Sequence, residues 1–277
     1  MAILVGCGSW TDDDYVGVLY PRNLPKSERL AYYARWFRRI EVNSSYYALP
    51  KRTSIARWVD QTPANFLFDV KLPRAFSSNP AEAARRGLLT RLLGVMEPLM
   101  EAQKLGAFLL TLPPSFGPGQ HRLEELDRVA DALCGHGLAV ELRHRGWVDG
   151  EARARTLAYF RQHELAWVAL DLPRLAAPAI LPPMDEVTNP RFAYMRLHGR
   201  NPDYLEARNA RQRHAYAYRR SDLEEIAARA KALSRSAKTV HVSVNNHAKD
   251  FAPWAALALR RLLGQRVRTT MPKWTER

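Results

Sequence analysis

Eight short runs of apolar, β-branched or aromatic residues recur along the chain, at 3–6, 40–43, 66–71, 107–112, 138–142, 167–171, 192–198 and 240–245. Longer segments with helical periodicity separate them. Strand-length runs alternating with helix-length segments are the signature of βα units and a parallel sheet. Eight such units in about 250 residues fit a single (β/α)8 TIM-type barrel of the α/β class better than an open doubly wound sheet.

The intervening segments support that reading. Ser27 precedes a helix whose apolar face is Leu30, Tyr33, Ala34 and Phe37, and Ser221 with Glu224 forms a capping box ahead of Leu223, Ile226 and Ala227. Asp250 precedes Trp254, Leu257, Leu259 and Leu262. After the sixth run, Pro173, Pro178, Pro182, Pro183 and Pro190 remove backbone donors and predict an irregular connection instead of a helix. Cutting the chain there would leave two βα units too small to fold alone. The expected organisation is therefore one barrel over residues 1–263 and a basic C-terminal tail over 264–277.

With 277 residues, 47% of them hydrophobic, the chain can fill such a core without disulfide or metal staples. Two cysteines, Cys7 and Cys134, exclude a disulfide framework and a four-cysteine zinc site, and fit a reducing cytoplasm. The opening residues lack the basic and apolar regions of a secretory signal, and no apolar stretch reaches membrane-spanning length, so no membrane partner is expected. A net charge of +14 favours anionic partners, either nucleic acid or phosphorylated small molecules.

Residues two apart on a strand share a face, and in these strands one face is polar. It carries Glu41 and Asn43, Asp69 and Lys71, Glu141 and Arg143, Asp171, then Tyr194, Arg196 and His198, and finally His241, Ser243 and Asn245. The alternate face is apolar, as with Ile40 and Val42, Val140 and Leu142, Met195 and Leu197, Val242 and Val244. Surrounding helices require that apolar face, so the polar set is expected inside the barrel or at its rim. Buried charges need partners, which predicts a mixed ion-pair network at the carboxyl ends of the strands, where barrel enzymes build active sites.

A second constellation comes late in the chain. The loops after the seventh and eighth runs read His198-Gly199-Arg200-Asn201 and Asn245-Asn246-His247, and in this architecture those loops often hold phosphate. Eight arginines lie between residues 191 and 220, with tyrosines at 204, 216 and 218 as stacking surfaces. Gly6, Gly8 and Thr11 do not complete a dinucleotide fingerprint. Glu41, Glu141, Asp171 and His198 have the donor types for a divalent metal, Mg²⁺ or Mn²⁺, a reading weaker than metal-free chemistry.

The ordered series Gly6-Cys7-Gly8-Ser9-Trp10, Tyr20-Pro21, Tyr33 with Phe37, Glu41-Val42-Asn43-Ser44-Ser45-Tyr46-Tyr47, Trp58 with Thr62-Pro63, 66–71, Leu112-Pro113-Pro114-Ser115-Phe116, Glu141-Leu142-Arg143, Arg196-Leu197-His198-Gly199-Arg200 and Asn245-Asn246-His247 resembles the YecE-like family, the domain of unknown function numbered seventy-two. The resemblance spans about residues 3–260. It implies a TIM-type barrel and brings no established reaction or catalytic residue.

The residues themselves favour an enzyme with hydrolase-like acid/base chemistry on an anionic, phosphate-bearing substrate at the C-terminal face. Glu41, Glu141 or Asp171 would act as acid or base and His198 as proton carrier. Arg143, Arg196, Arg200, Asn245 and Asn246 would hold the anion, with Asn43, Lys71, Gly199 and His247 completing the binding set. The alternative is a nucleic-acid-binding protein that uses the arginine-rich segment 191–220.

Overall fold

The computed structural model describes residues 2–246 and 248–267. Eight parallel strands, β1 (Ala2–Cys7), β2 (Arg39–Val42), β3 (Leu67–Lys71), β4 (Leu105–Thr111), β5 (Leu138–Glu141), β6 (Leu165–Asp171), β7 (Phe192–Leu197) and β8 (Thr239–Val244), lie within about two residues of the eight runs. Their ladder runs β1-β8-β7-β6-β5-β4-β3-β2, a TIM-type barrel closed everywhere except between its two ends.

At that seam β1 and β2 lie side by side without a ladder. A Cβ on Gly6 would stand 2.2 Å from the carbonyl oxygen of Arg39, so only glycine allows the approach. The phenol of Tyr33, at the end of helix α1 (Arg29–Tyr33), fills the missing link. It accepts from the Cys7 amide at 2.8 Å and donates to the Arg39 carbonyl at 3.1 Å.

The helices that follow are α2 (Arg52–Asp60), α3 (Arg74–Ser78), α4 (Pro80–Arg85), α5 (Leu88–Glu101), α6 (Asp127–Leu133), α7 (Ala152–Gln162), α8 (Ala210–Arg213), α9 (Arg220–Leu233) and α10 (Phe251–Leu262). They cover the apolar strand face, whose Ile40, Val140, Met195 and Val242 are fully buried in one core with Leu92, Phe160, Ile226 and Leu257. No helix forms between β6 and β7, as the prolines predict. That connection packs along β6 instead: the Thr188 hydroxyl donates to the Leu165 carbonyl at 2.6 Å, and Trp167 Nε1 donates to the Met184 carbonyl at 3.1 Å.

Two helix starts differ from expectation. The helix after β1 is one short turn with no side-chain cap from Ser27, and α9 begins before Ser221, with Asp222 accepting from the Arg219 amide at 3.0 Å. Asp222 is the third residue of the helix, placed for its carboxylate to reach back to the amide preceding the first turn, whereas Ser221 already lies inside that turn. Of the expected basic tail, Gln265 reaches the Ile3 carbonyl at 2.7 Å, and residues 268–277 lie outside the described residues. No helix among the described residues is long and apolar enough to cross a membrane.

The barrel interior is divided. Ala107, Leu109, Ala139, Ala166, Val168 and Leu170, from β4, β5 and β6, make an apolar wall. Across from it β2, β3, β7 and β8 contribute charge. Arg39 donates through Nε to Asp69 at 2.6 Å, through Nη2 to Asp69 and to the Tyr194 hydroxyl, and through Nη1 to the Val242 carbonyl at 2.8 Å. His241 Nδ1 lies 3.0 Å from Asp69, and all four side chains are buried. Asp69 fits because β4 bulges at Gly106, where a Cβ would stand 2.3 Å from its carboxylate.

Candidate active site at the barrel mouth

A second charged layer sits two residues further along the same strands. Arg196 lies between two carboxylates, donating to Glu41 through Nη2 at 2.7 Å and Nε at 3.1 Å and to Glu141 through Nη1. The Tyr194 hydroxyl joins the layers by donating to Glu41 at 2.9 Å. Arg143 reaches the other oxygen of Glu141 through Nε at 2.5 Å, and its side chain keeps 26% exposure.

From Glu141 the network continues toward the seam. His198 Nε2 lies 3.4 Å from Glu141, and its Nδ1 accepts from Asn245 at 3.2 Å. Asn245 in turn accepts from Asn43 at 3.3 Å, and Asn43 donates to the Gly8 carbonyl at 2.9 Å. With Nδ1 accepting, the network assigns the imidazole proton to Nε2, facing the carboxylate.

The electrostatics follow from burial and pairing. Burial raises the Glu41 pKa, but the charge and hydrogen bonds of Arg196 outweigh it and bring the carboxyl to about 2. Burial is likewise overcome at Glu141 by Arg143 and Arg196, which hold it well below the usual carboxylate range. Both are ionised at neutral pH and have no proton to give. Burial lowers His198 to about 4 despite Glu141, so its imidazole is neutral. Lys71 behaves differently: burial, then the charges of Arg196 and Arg143, bring its amine down to about 7.

A cavity of about 520 Å³ opens beside this layer above the seam, with Glu41 and Asn43 in its wall together with Gly8, Trp10, Tyr47 and Trp58. Trp10 and Trp58 meet edge to face at 5.1 Å, while Tyr47 is 85% exposed. Tyr47 is thus an aromatic surface at the cavity edge, open to a ligand.

Glu41, Asn43, Lys71, Glu141, Arg143, Arg196, His198 and Asn245 therefore come together. Four expected site residues do not join them. Asp171 shares strand parity with Trp167 and Ala169, which belong to the core under the helices, and it is bound by Arg200 at 2.7 Å, Arg229 at 3.0 Å and the Tyr218 hydroxyl at 2.8 Å. Arg200 is consumed by Asp171, Asp222 and Glu225 and has no free fork for an anion. Gly199, at φ +89°, gives its amide to Tyr218 at 2.8 Å, and Asn246 donates to the Tyr216 carbonyl at 2.5 Å. These residues fasten the loops after β7 and β8. His247 lies outside the described residues.

The same displacement breaks up the less favoured metal set, since Asp171 is outside and Arg196 lies between Glu41 and Glu141. Among the described residues no group of three or more His, Cys, Asp or Glu side chains could hold a metal ion. Part of the arginine-rich segment makes contacts within the chain. Arg191 binds the Cys134 carbonyl at 2.5 Å, Arg211 binds Asp14 at 2.6 Å, Arg220 binds Glu224 at 2.9 Å, and Tyr204 and Tyr218 are buried.

Sequence reasoning missed Arg39, Tyr46 and the aromatic cavity wall. Arg39 has the parity of Glu41 and Asn43, a signal present in the chain. The cavity wall joins residues from separate loops, for which no local signal exists.

A family model described as "Protein of unknown function DUF72" matches residues 4–276. The UPF0759 protein YunF of Bacillus subtilis (strain 168) is 24% identical over 260 residues, covering 88% of this chain and 89% of that protein. The UPF0759 protein YecE of Escherichia coli (strain K12) is 39% identical over 113 residues, 40% of each chain. Among solved structures, a DUF72 family protein of Thermotoga maritima MSB8 superposes with a TM-score of 0.83 at 31% identity, covering 96% of this chain and 100% of that one. One from Enterococcus faecalis V583 gives 0.85 at 26% identity, covering 99% of each.

Proposed function

This chain belongs to the DUF72 family, and we propose that it is an enzyme performing acid–base chemistry on a small anionic substrate at the C-terminal face of the barrel. The observation that carries this reading is a pair of cations left incomplete beside a saturated network. Arg143 uses Nε on Glu141, and among the described residues its terminal nitrogens have no partner. They can fork onto a carboxylate or, in the favoured case, a phosphate. Asn43 and Asn245 add neutral amides, and Glu41, Arg196 and Glu141 hold the frame rigid.

Proton transfer falls to Lys71. A group whose pKa lies near the working pH is the best compromise between availability and driving force, and Lys71, at about 7, meets that condition where Glu41, at about 2, and His198, at about 4, do not. A cytoplasmic setting belongs to the same reading and is supported by two free cysteines, Cys7 and Cys134.

Nucleic-acid binding is the weaker reading, because Arg196 and Arg200 are held in internal ion pairs and Tyr204 and Tyr218 are buried, leaving no exposed stacking surface from those two rings. Calorimetric titration with inorganic phosphate separates the two. Arg143→Gln is expected to weaken binding roughly tenfold, and charge reversal at Arg211 and Arg213 to leave it unchanged. Tight binding of single-stranded or duplex nucleic acid that depends on Arg211 and Arg213, with a steep salt slope, would sink the enzyme reading.

A further inference from the structure

The turn after β2 shapes the end of β3. Ser45 Oγ donates to the Lys71 carbonyl at 2.6 Å, which pins the backbone there, and the next residue, Tyr46, lays its ring 4.1 Å from Lys71 Nζ. Among the described residues that amine has no carboxylate within ion-pair distance and no hydrogen-bond acceptor, although it neighbours Glu41, Glu141, Arg143 and Arg196. Lys104, the one other described lysine that is not exposed, shows what a structural amine looks like. It donates to the Val59 and Thr62 carbonyls at 2.6 Å each and to the Thr62 hydroxyl at 3.1 Å. Lys71 is held in place with its nitrogen unspent.

We propose that Lys71 is a covalent site for small carbonyl compounds bearing an anionic group, forming an imine through Nζ while Arg143 holds the anion. The inference rests on the anionic-substrate reading of the mouth given above. The nitrogen lone pair adds to the carbonyl carbon, forming the C–N bond, and a proton passes from nitrogen to oxygen. The C–O bond of the carbinolamine then breaks, and the oxygen leaves as water after taking one further proton from solvent. The product is a protonated imine, with no oxidant or reductant needed. Its positive nitrogen withdraws electrons from the adjacent carbon, which is the purpose of such adducts in enzymes. Burial and the neighbouring guanidinium charges leave a large share of the amine unprotonated at neutral pH, the state in which it is nucleophilic. The exposed lysines lack that environment.

The test uses the intact protein at pH 7 with glyoxylate, or with propionaldehyde as a neutral counterpart, under sodium cyanoborohydride, followed by peptide mapping. Glyoxylate is expected to modify Lys71 at least about tenfold faster than any other lysine. Lys71→Met removes the nucleophile without fixing a permanent charge beside Arg143 and Arg196, and should abolish that labelling with circular dichroism near wild type. Arg143→Gln should slow glyoxylate labelling of Lys71 and leave propionaldehyde unaffected. Labelling spread over the exposed lysines with Lys71 no faster overturns the imine, and the parent reading then survives if phosphate binding still depends on Arg143. Equal labelling of Lys71 by both aldehydes, indifferent to Arg143→Gln, overturns the anionic requirement and the parent reading with it.

Discussion

The layer around Arg39 and the layer around Arg196 are built by the same strands two residues apart: Arg39 and Glu41 on β2, Asp69 and Lys71 on β3, Tyr194 and Arg196 on β7. In the deeper layer each nitrogen of Arg39 has a partner, and Asp69 is shared between Arg39 and His241. In the outer layer Glu41, Arg196 and Glu141 are equally saturated, but among the described residues Arg143 and Lys71 keep donors unused. Burying charge for stability completes every partner, since an unpaired buried ion is strongly unfavourable. Where the molecule leaves cations incomplete at the rim, it retains capacity for something that arrives from solution.

The contrast predicts a graded series of effects. Arg39→Met strands the Asp69 carboxylate and is expected to destabilise by about 3–5 kcal/mol in urea unfolding, with Arg39→Met/Asp69→Leu recovering part of the loss. If the single and double variants unfold alike, the deeper layer is not a paired structural unit. Tyr194→Phe removes the hydroxyl shared by Arg39 and Glu41 and should lower stability by about 1–3 kcal/mol, placing the link between layers below either ion pair. Lys71→Met gives up only the contact with the Tyr46 ring and relieves the cost of holding that amine unprotonated, so at pH 7 stability should hold or rise while the glyoxylate adduct disappears. A large stability loss in that variant would erase the distinction between the layers.

The layers also differ in how they respond to pH. A group whose pKa falls on folding binds more protons when unfolded, so the folded state loses stability as pH drops: a buried cation's penalty grows and a paired carboxylate's contribution fades. For Lys71 that window runs from the ordinary 10.5 down to about 7, and for His198 from 6.5 to about 4. Glu41, with an ordinary value of 4.5, and Asp69, with 3.8, lose theirs toward about 2, so both layers contribute there. Lys71→Met should therefore flatten the alkaline limb of the stability profile alone, checked by thermal melts from pH 7 to 10.5.

The strands were legible because period-two alternation and proline punctuation are local properties, and so was the inward register of Glu41, Glu141 and Arg196. Asp171 ends its strand as a site residue would, but its parity with Trp167 and Ala169 turns it toward the helices, and the parity is the stronger local signal. Arg200 was misassigned because its partners Asp222 and Glu225 come from the following loop and helix, and no spacing in the chain announces that they will claim it. Lys71 stood among binding residues by register alone. Its distinctive state comes from Tyr46 and Arg196, which only the fold brings near.

Tyr33 gives the barrel a clasp. Elsewhere the spacing between neighbouring strands is dictated by peptide groups, whereas between β1 and β2 one phenolic oxygen bridges the two backbones. A bridge borne by a side chain replaces several ladder bonds with two, so the seam can open by losing fewer bonds than any laddered pair. Breathing of the ring should concentrate there, and amide exchange at Cys7 should report it, being faster than in the interior strands and faster again in Tyr33→Phe. The cavity walled by Gly8, Glu41 and Asn43 lies at the same edge of the barrel, so a ligand there would press on the pair of strands joined by the fewest bonds.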